Sequence, residues 1–182
     1  MATADTGSTR IPVSQLDIPW ERDLFLRSLV SELSSVLEDV VGLKEASGFI
    51  SIVGQNMGNQ MDLDYKRALE VSRLSRRQVA DVLVDLKERI KGDFYIIEQN
   101  DDRIVLGNRA CPFAEKVVGR SSMCMMTSNV FGVVASQSLG YAKVSLEETI
   151  AQGDPECRVV VYLKPDRESA AASGQEYFQS AT

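Results

Sequence analysis

Histidine is absent from all 182 residues, and that absence removes a large share of familiar chemistry. Without imidazole there is no Ser-His-Asp triad, no Cys-His nucleophile pair, no His-ligated haem and no histidine-rich catalytic zinc site. Lys, Asp and Glu remain as acids and bases, yet no nucleophile with its base can be named, so the chain is expected not to be an enzyme. Long apolar runs are missing too, and the opening "MATADTGSTRIPVSQ" has neither the basic lead nor the apolar core of a signal peptide. A cytoplasmic protein without a membrane partner is expected. Cysteine is scarce and odd in number, with Cys111, Cys124 and Cys157 alone. In a reducing compartment this argues against a disulfide framework and leaves the thiols for metal or redox chemistry. Positive charge is also short: 20 Lys and Arg against 26 Asp and Glu give a net charge of −6. Binding of nucleic acid would therefore need a local basic patch.

What is present has the composition of a globular domain, with 44% apolar and 25% charged residues. The expected organisation is a flexible arm over 1–19, one domain over 20–163 and a flexible tail over 164–182. The domain divides into a helical half, 20–92, and a cysteine-containing sheet half, 93–163.

In "WERDLFLRSLVSELSSVLEDVVGL" the residues Leu26, Leu29, Leu33, Val36, Val40 and Leu43 recur at steps of three and four, a heptad seam on a helix that Gly42 stops. The seam lies either on the domain's own core or in a homodimer interface. "KEASGFISIVGQNMGNQM" places Gly48, Gly54 and Gly58 in a helical pattern. Each glycine costs about 1 kcal/mol relative to alanine, which close approach of another helix or a ligand would offset. "LDYKRALEVSRL" reads as a separate short helix, and Ser75 caps "RRQVADVLVDLKERIKG", whose expected buried stripe is Val79, Val82, Leu83, Leu86 and Ile90. From Phe94 the period changes to that of strands. "FYIIEQ" and "RIVLGN" flank the turn "NDD", "CMMTSNVFGVVASQSLG" is a helix, and "YAKVSLEETI" pairs with "CRVVVYL" across "AQGDPE". Helices first and antiparallel strands in two hairpins later make the fold α+β.

Three groupings could carry function. From Lys66 to Lys91 eight Lys or Arg stand against four Asp or Glu. A capped helix presenting Arg76, Arg77 and Gln78, followed by a hairpin bearing Arg103, reads as a winged-helix-like nucleic-acid unit or as a solvated amphipathic helix. Small residues on facing helices, Gly54, Gly58, Phe131, Gly132 and Ala135, would line an apolar pocket for a small molecule or simply pack closely. The three cysteines fall at ends of elements, where free backbone N–H groups offset thiolate charge. Three buried structural thiols are the alternative.

The cysteine pattern adds a resemblance. "NRACPF", twelve residues to Cys124, and then "LGYAKVSLEETIAQGDPECRVVVYL" resemble the superfamily of 4-vinyl-reductase-like sensory domains and its relative the methanogen output domain. The Asn-x-x-Cys-Pro start and the late Gly153-Asp154 before Cys157 are also similar to the cluster-binding half of iron-sulfur-sensing repressors. The resemblance spans about residues 20–163 and rests on Cys111, Pro112, Cys124, Gly153, Asp154 and Cys157. It implies a mixed α/β sensory module, dimeric, beside a downstream signalling or transcription protein, with zinc or an iron-sulfur cluster on Cys111, Cys124 and Cys157. A fourth ligand is missing from the pattern: residues 125–156 contain no cysteine, and Ser121 stands where zinc-binding relatives carry glutamate. Glu115 and Asp154 are the candidates to supply it.

Overall fold

The computed structural model describes residues 13–180; most of the expected N-terminal arm lies outside them. Helix α1 spans Arg22–Val41, and Gly42, at φ +86°, ends it and opens α2 at once. Helix α2 runs without a break over Leu43–Ala68, so the short helix expected from "LDYKRALEVSRL" is the C-terminal part of α2. Helix α3, Arg76–Glu88, starts with a capping box in which Ser75 and Gln78 exchange side-chain and backbone bonds.

Strands β1 (Phe94–Gln99) and β2 (Arg103–Asn108) form the expected hairpin, and Asn100 Oδ1 accepts from the backbone N–H groups of Asp102 and Arg103 at its turn. Helix α4 (Cys124–Leu139) then leads to β3 (Tyr141–Glu148) and β4 (Cys157–Tyr162). The expected flexible tail is instead part of the fold. A short helix α5, Arg167–Ala171, and a strand β5, Gln175–Phe178, follow β4, and β5 pairs with β3. Its signal is short: Tyr177 alone is buried on β5, so four residues carry no alternation long enough to read. The sheet is antiparallel throughout, in the order β1-β2-β4-β3-β5, and the fold is α+β.

The core lies between one face of this sheet and the helices. Ile104, Leu106, Val144, Val159 and Val161 face Val79, Leu83, Val130, Phe131 and Val134. Helix α4 is apolar almost all round because it is covered on two sides, by the sheet and by α2. The small residues of α2 make that second contact. A β-carbon on Gly58 would stand 3.0 Å from Val133 Cβ, and one on Gly54 would stand 2.9 Å from Asn129 Cβ. Gly132 and Tyr177 are in similar contact on the other side of α4. The pocket expected at Gly54, Gly58, Phe131, Gly132 and Ala135 is therefore close helix packing, with Phe131 and Ala135 fully buried. Nothing contacts the β-carbon position of Gly48, and no structural reason for that glycine is evident.

Helix α1 inverts the usual arrangement. Its buried residues are serines: Ser31 Oγ donates to the Lys116 carbonyl at 3.0 Å, and Ser34 shares a 2.9 Å bond with Ser122. The heptad seam is largely exposed, Leu33 by 62%, Val36 by 57% and Val40 by 75%, and Leu33 also borders a hollow between α1 and α2. The alternative of a seam lying on the domain's own core does not hold, because hydroxyls and the backbone of residues 116–122 occupy that side. Exposed Phe49, Ile52 and Val53 of α2 extend the apolar surface.

Candidate functional site

The three cysteines come to one place by different routes. Cys157 opens β4 and pairs across the ladder with Asn108, the last residue of β2. Cys124 opens α4, and Cys111 sits in the loop after β2, where its carbonyl accepts from the Ala114 N–H at 2.8 Å. Ala114 takes φ +49° to close that turn, a region that costs a residue with a β-carbon about 1 kcal/mol or more. The three thiols line one cavity of about 30 Å³, together with Phe113, Met123 and Thr149. That volume accepts about one or two waters. Asn108 Nδ2 and the backbone N–H of Ile150 both donate to Cys157 Sγ, at 3.6 and 3.5 Å.

A residue that the periodicity had not singled out dominates the cavity. Lys87 is 4% exposed, in the place on α3 where Ile90 was expected; Ile90 itself is exposed. Lys87 Nζ donates to Thr127 Oγ1 at 2.8 Å and stands 5.5 and 5.3 Å from the ring centres of Phe94 and Phe131. Among the described residues it has no carboxylate partner. Burial pulls its pKa down to about 8, while the thiols of Cys111, Cys124 and Cys157 act in the opposite direction to the extent that they ionise. Two of the thiols resist ionisation. Burial, reinforced by Cys157 and Cys111, pushes Cys124 up to about 12, and burial raises Cys111 as well. The cavity therefore sets a buried amine near two thiols whose ionisation burial opposes. Thr149 Oγ1, buried in the same wall, has no nitrogen or oxygen hydrogen-bond partner among the described residues and lies beside the Cys124 thiol.

Two wider apolar hollows adjoin this cavity. One of about 240 Å³ lies between α1 and α2, lined by Val30, Leu33, Leu37 and Ile50. The other, of about 580 Å³, reaches from Arg27 and Met57 to Lys87. Phe113 borders all three spaces, and Lys87 borders the thiol cavity and the larger hollow.

The metal reading meets a different geometry from the one expected. Cys111, Cys124 and Cys157 do share a cavity, but among the described residues no group of three or more Cys, Asp or Glu side chains could hold a metal ion. Glu115 is largely exposed and lies 4.0 Å from Arg27. Asp154 Oδ2 accepts from the Thr149 N–H at 2.7 Å, fixing the β3–β4 turn instead. Neither completes a ligand set. The residues present do not fit that group in this packing.

The basic grouping does not stay together either. Arg76 is ion-paired with Asp101, and Arg103 with Glu168 and with Glu98 at 3.2 Å. Gln78 is held in the Ser75 cap, and Arg77 lies 4.0 Å from Asp81. The hairpin that would serve as a wing is the edge of the five-stranded sheet.

The sequence profile of methanogen output domain 1 matches residues 29–162. The chain belongs to the methanogen output domain 1 family. No curated protein matches it. Among solved structures, this member of the family is similar to the phenol-responsive sensory domain of the transcription activator PoxR with phenol, at TM-score 0.61 and 13% identity, over 80% of this chain and 78% of that one. It is also similar to trafficking protein particle complex subunit 3 from Naegleria fowleri, covalently bound to palmitic acid, at TM-score 0.52 and 11% identity, over 86% of this chain and 99% of that one. At these identities the likeness is one of fold. The family is one of output domains, and no helix among the described residues is long and apolar enough to cross a membrane.

Proposed function

We propose that this chain is a non-catalytic sensory domain that takes up a small, largely apolar organic effector beneath α1 and reports its presence through the outer face of the same helix. The observation that carries this reading is the double duty of α1. Val30, Leu33 and Leu37 border the hollow between α1 and α2, while Leu29, Val36 and Val40 stand exposed on the outside. A ligand that enters the hollow binds one placement of α1 better than another and shifts the population of the outward seam accordingly. The polar contacts of Ser31 and Ser34 hold α1 to the 3-10 turns at Ala114–Val117 and Ser121–Met123; such contacts are easier to exchange than an apolar core. The solved structures of similar fold carry phenol in one case and palmitic acid in the other, both organic molecules with apolar bodies, which supports an organic effector over a metal.

The outer seam is proposed to pair with a second copy of the chain. Exposed leucine and valine at heptad spacing on α1, continued by Phe49 and Ile52 on α2, make an apolar face of the kind that interfaces cover. A downstream signalling or transcription protein would read the dimer. Sedimentation analysis of the wild-type chain and of Val36→Asp tests this: a wild-type dimer that dissociates on substitution is expected. A wild-type monomer, or a dimer indifferent to Val36→Asp, would reject the assignment of α1 as the reporting surface.

A further inference from the structure

We infer that the effector carries a carboxylate, and that Lys87 is its counter-ion. The inference rests on the sensory reading above and names the chemistry of the ligand. A buried ammonium with no anion beside it is costly, since desolvation of a charge is recovered only through a close partner of opposite sign. Lys87 has one hydroxyl and the faces of two phenyl rings, which lessen that cost but do not remove it. A second sign is Thr149, whose buried hydroxyl on the same cavity wall has no nitrogen or oxygen partner among the described residues and has only the weakly accepting thiol of Cys124 beside it. An O–H donor and an ammonium bordering one small space suit an acceptor-only head group.

Size and polarity then specify the rest of the molecule. The thiol cavity, at about 30 Å³, has room for a head group and little more. The hollow of about 580 Å³ that shares Lys87 with it is lined on this side by Met57, Met61, Leu86 and Val130, walls for a hydrocarbon body. Phe113 stands between them and against α1's hollow. An apolar acid would seat its carboxylate on Lys87 and lay its body in the larger hollow, which Arg27 and Val30 of α1 also border; Val30 and Phe113 are shared with the hollow between α1 and α2, so the same ligand acts on α1.

Octanoate and 1-octanol are matched probes that differ in the head group. Titration calorimetry on the full chain should show octanoate binding about tenfold or more tightly than 1-octanol, a difference of about 1.4 kcal/mol. In Lys87→Met that preference should vanish while 1-octanol binding remains. Equal binding of both probes to the wild type, or a preference that survives Lys87→Met, would overturn the role of Lys87 and leave the sensory reading standing. Binding of neither probe to the wild type would overturn both. The wild-type comparison does not depend on a variant folding.

Discussion

Lys87→Met should stabilise the free protein, an unusual outcome for removal of a fully buried side chain. Burial moves the amine from 10.5 to about 8, which corresponds to a penalty of about 3 kcal/mol on its charged form. Methionine keeps the length of the side chain and removes the charge, but forfeits the bond to Thr127, worth about 1 kcal/mol. The expected net gain near neutral pH is therefore about 2 kcal/mol. The sign of the pH dependence follows from a base whose pKa is depressed on folding. Below pH about 8 the folded chain carries the charge and the full penalty. Between that value and 10.5 the unfolded chain binds a proton that the folded chain does not, so the wild type gains stability from this group as pH rises. Above 10.5 both states are neutral and the penalty is gone. Cys111 and Cys124, raised on folding, cost stability as pH climbs past 9.0, and do so in both proteins. Urea unfolding of wild type and Lys87→Met, followed by circular dichroism across this range, should show an advantage of the variant that is largest near neutral pH and in alkali gives way to a deficit of about 1 kcal/mol, the lost Thr127 bond. A destabilising substitution with a gap independent of pH would refute the reasoning, because it would mean that the charge of Lys87 is already compensated.

Gly58→Ala should cost about 1–3 kcal/mol in thermal or urea unfolding, because its β-carbon would meet Val133 Cβ at 3.0 Å and Val130 Cα at 3.2 Å. Gly48→Ala, on the same helix with no neighbour at that position, should instead stabilise by about 1 kcal/mol. Ala114→Gly should raise the melting temperature by an amount corresponding to about 1 kcal/mol, since φ +49° costs a residue with a β-carbon and costs glycine nothing. Tyr177→Phe removes the 2.9 Å bond between Tyr177 Oη and Ser128 Oγ; a loss of about 1 kcal/mol is expected, and no loss would show that this bond adds nothing to the ring packing and strand pairing of β5.

Local pattern determined much of this protein without help from distant contacts. Gly42 had to break the first helix from the second, the Ser75–Gln78 box had to start α3, and the alternation from Phe94 onward had to be strands, because each signal acts within a few residues. The glycines of α2 announced a close neighbour, and α4 proved to be that neighbour at Gly54 and Gly58. The absence of histidine narrowed the chemistry from the outset. Lys87 was also within reach: it lies four residues after Leu83 and eight after Val79, on the apolar stripe of α3. A charged residue there is easily read as solvated when composition alone is weighed.

Other features depended on what stands opposite, which periodicity does not contain. The seam of α1 has the same spacing whether it meets its own core or faces outward, and the decision fell to Ser31 and Ser34, which found partners at Lys116 and Ser122. The cysteines could be placed at ends of elements, but only the sheet register that sets Cys157 against Asn108 and the turn at Ala114 brought them around one small cavity. The positive charge beside that cavity comes from the ammonium of Lys87, delivered from α3. Helix and strand follow from the spacing of side chains along the chain, whereas the sign of a site's charge follows from which side chains converge there after folding.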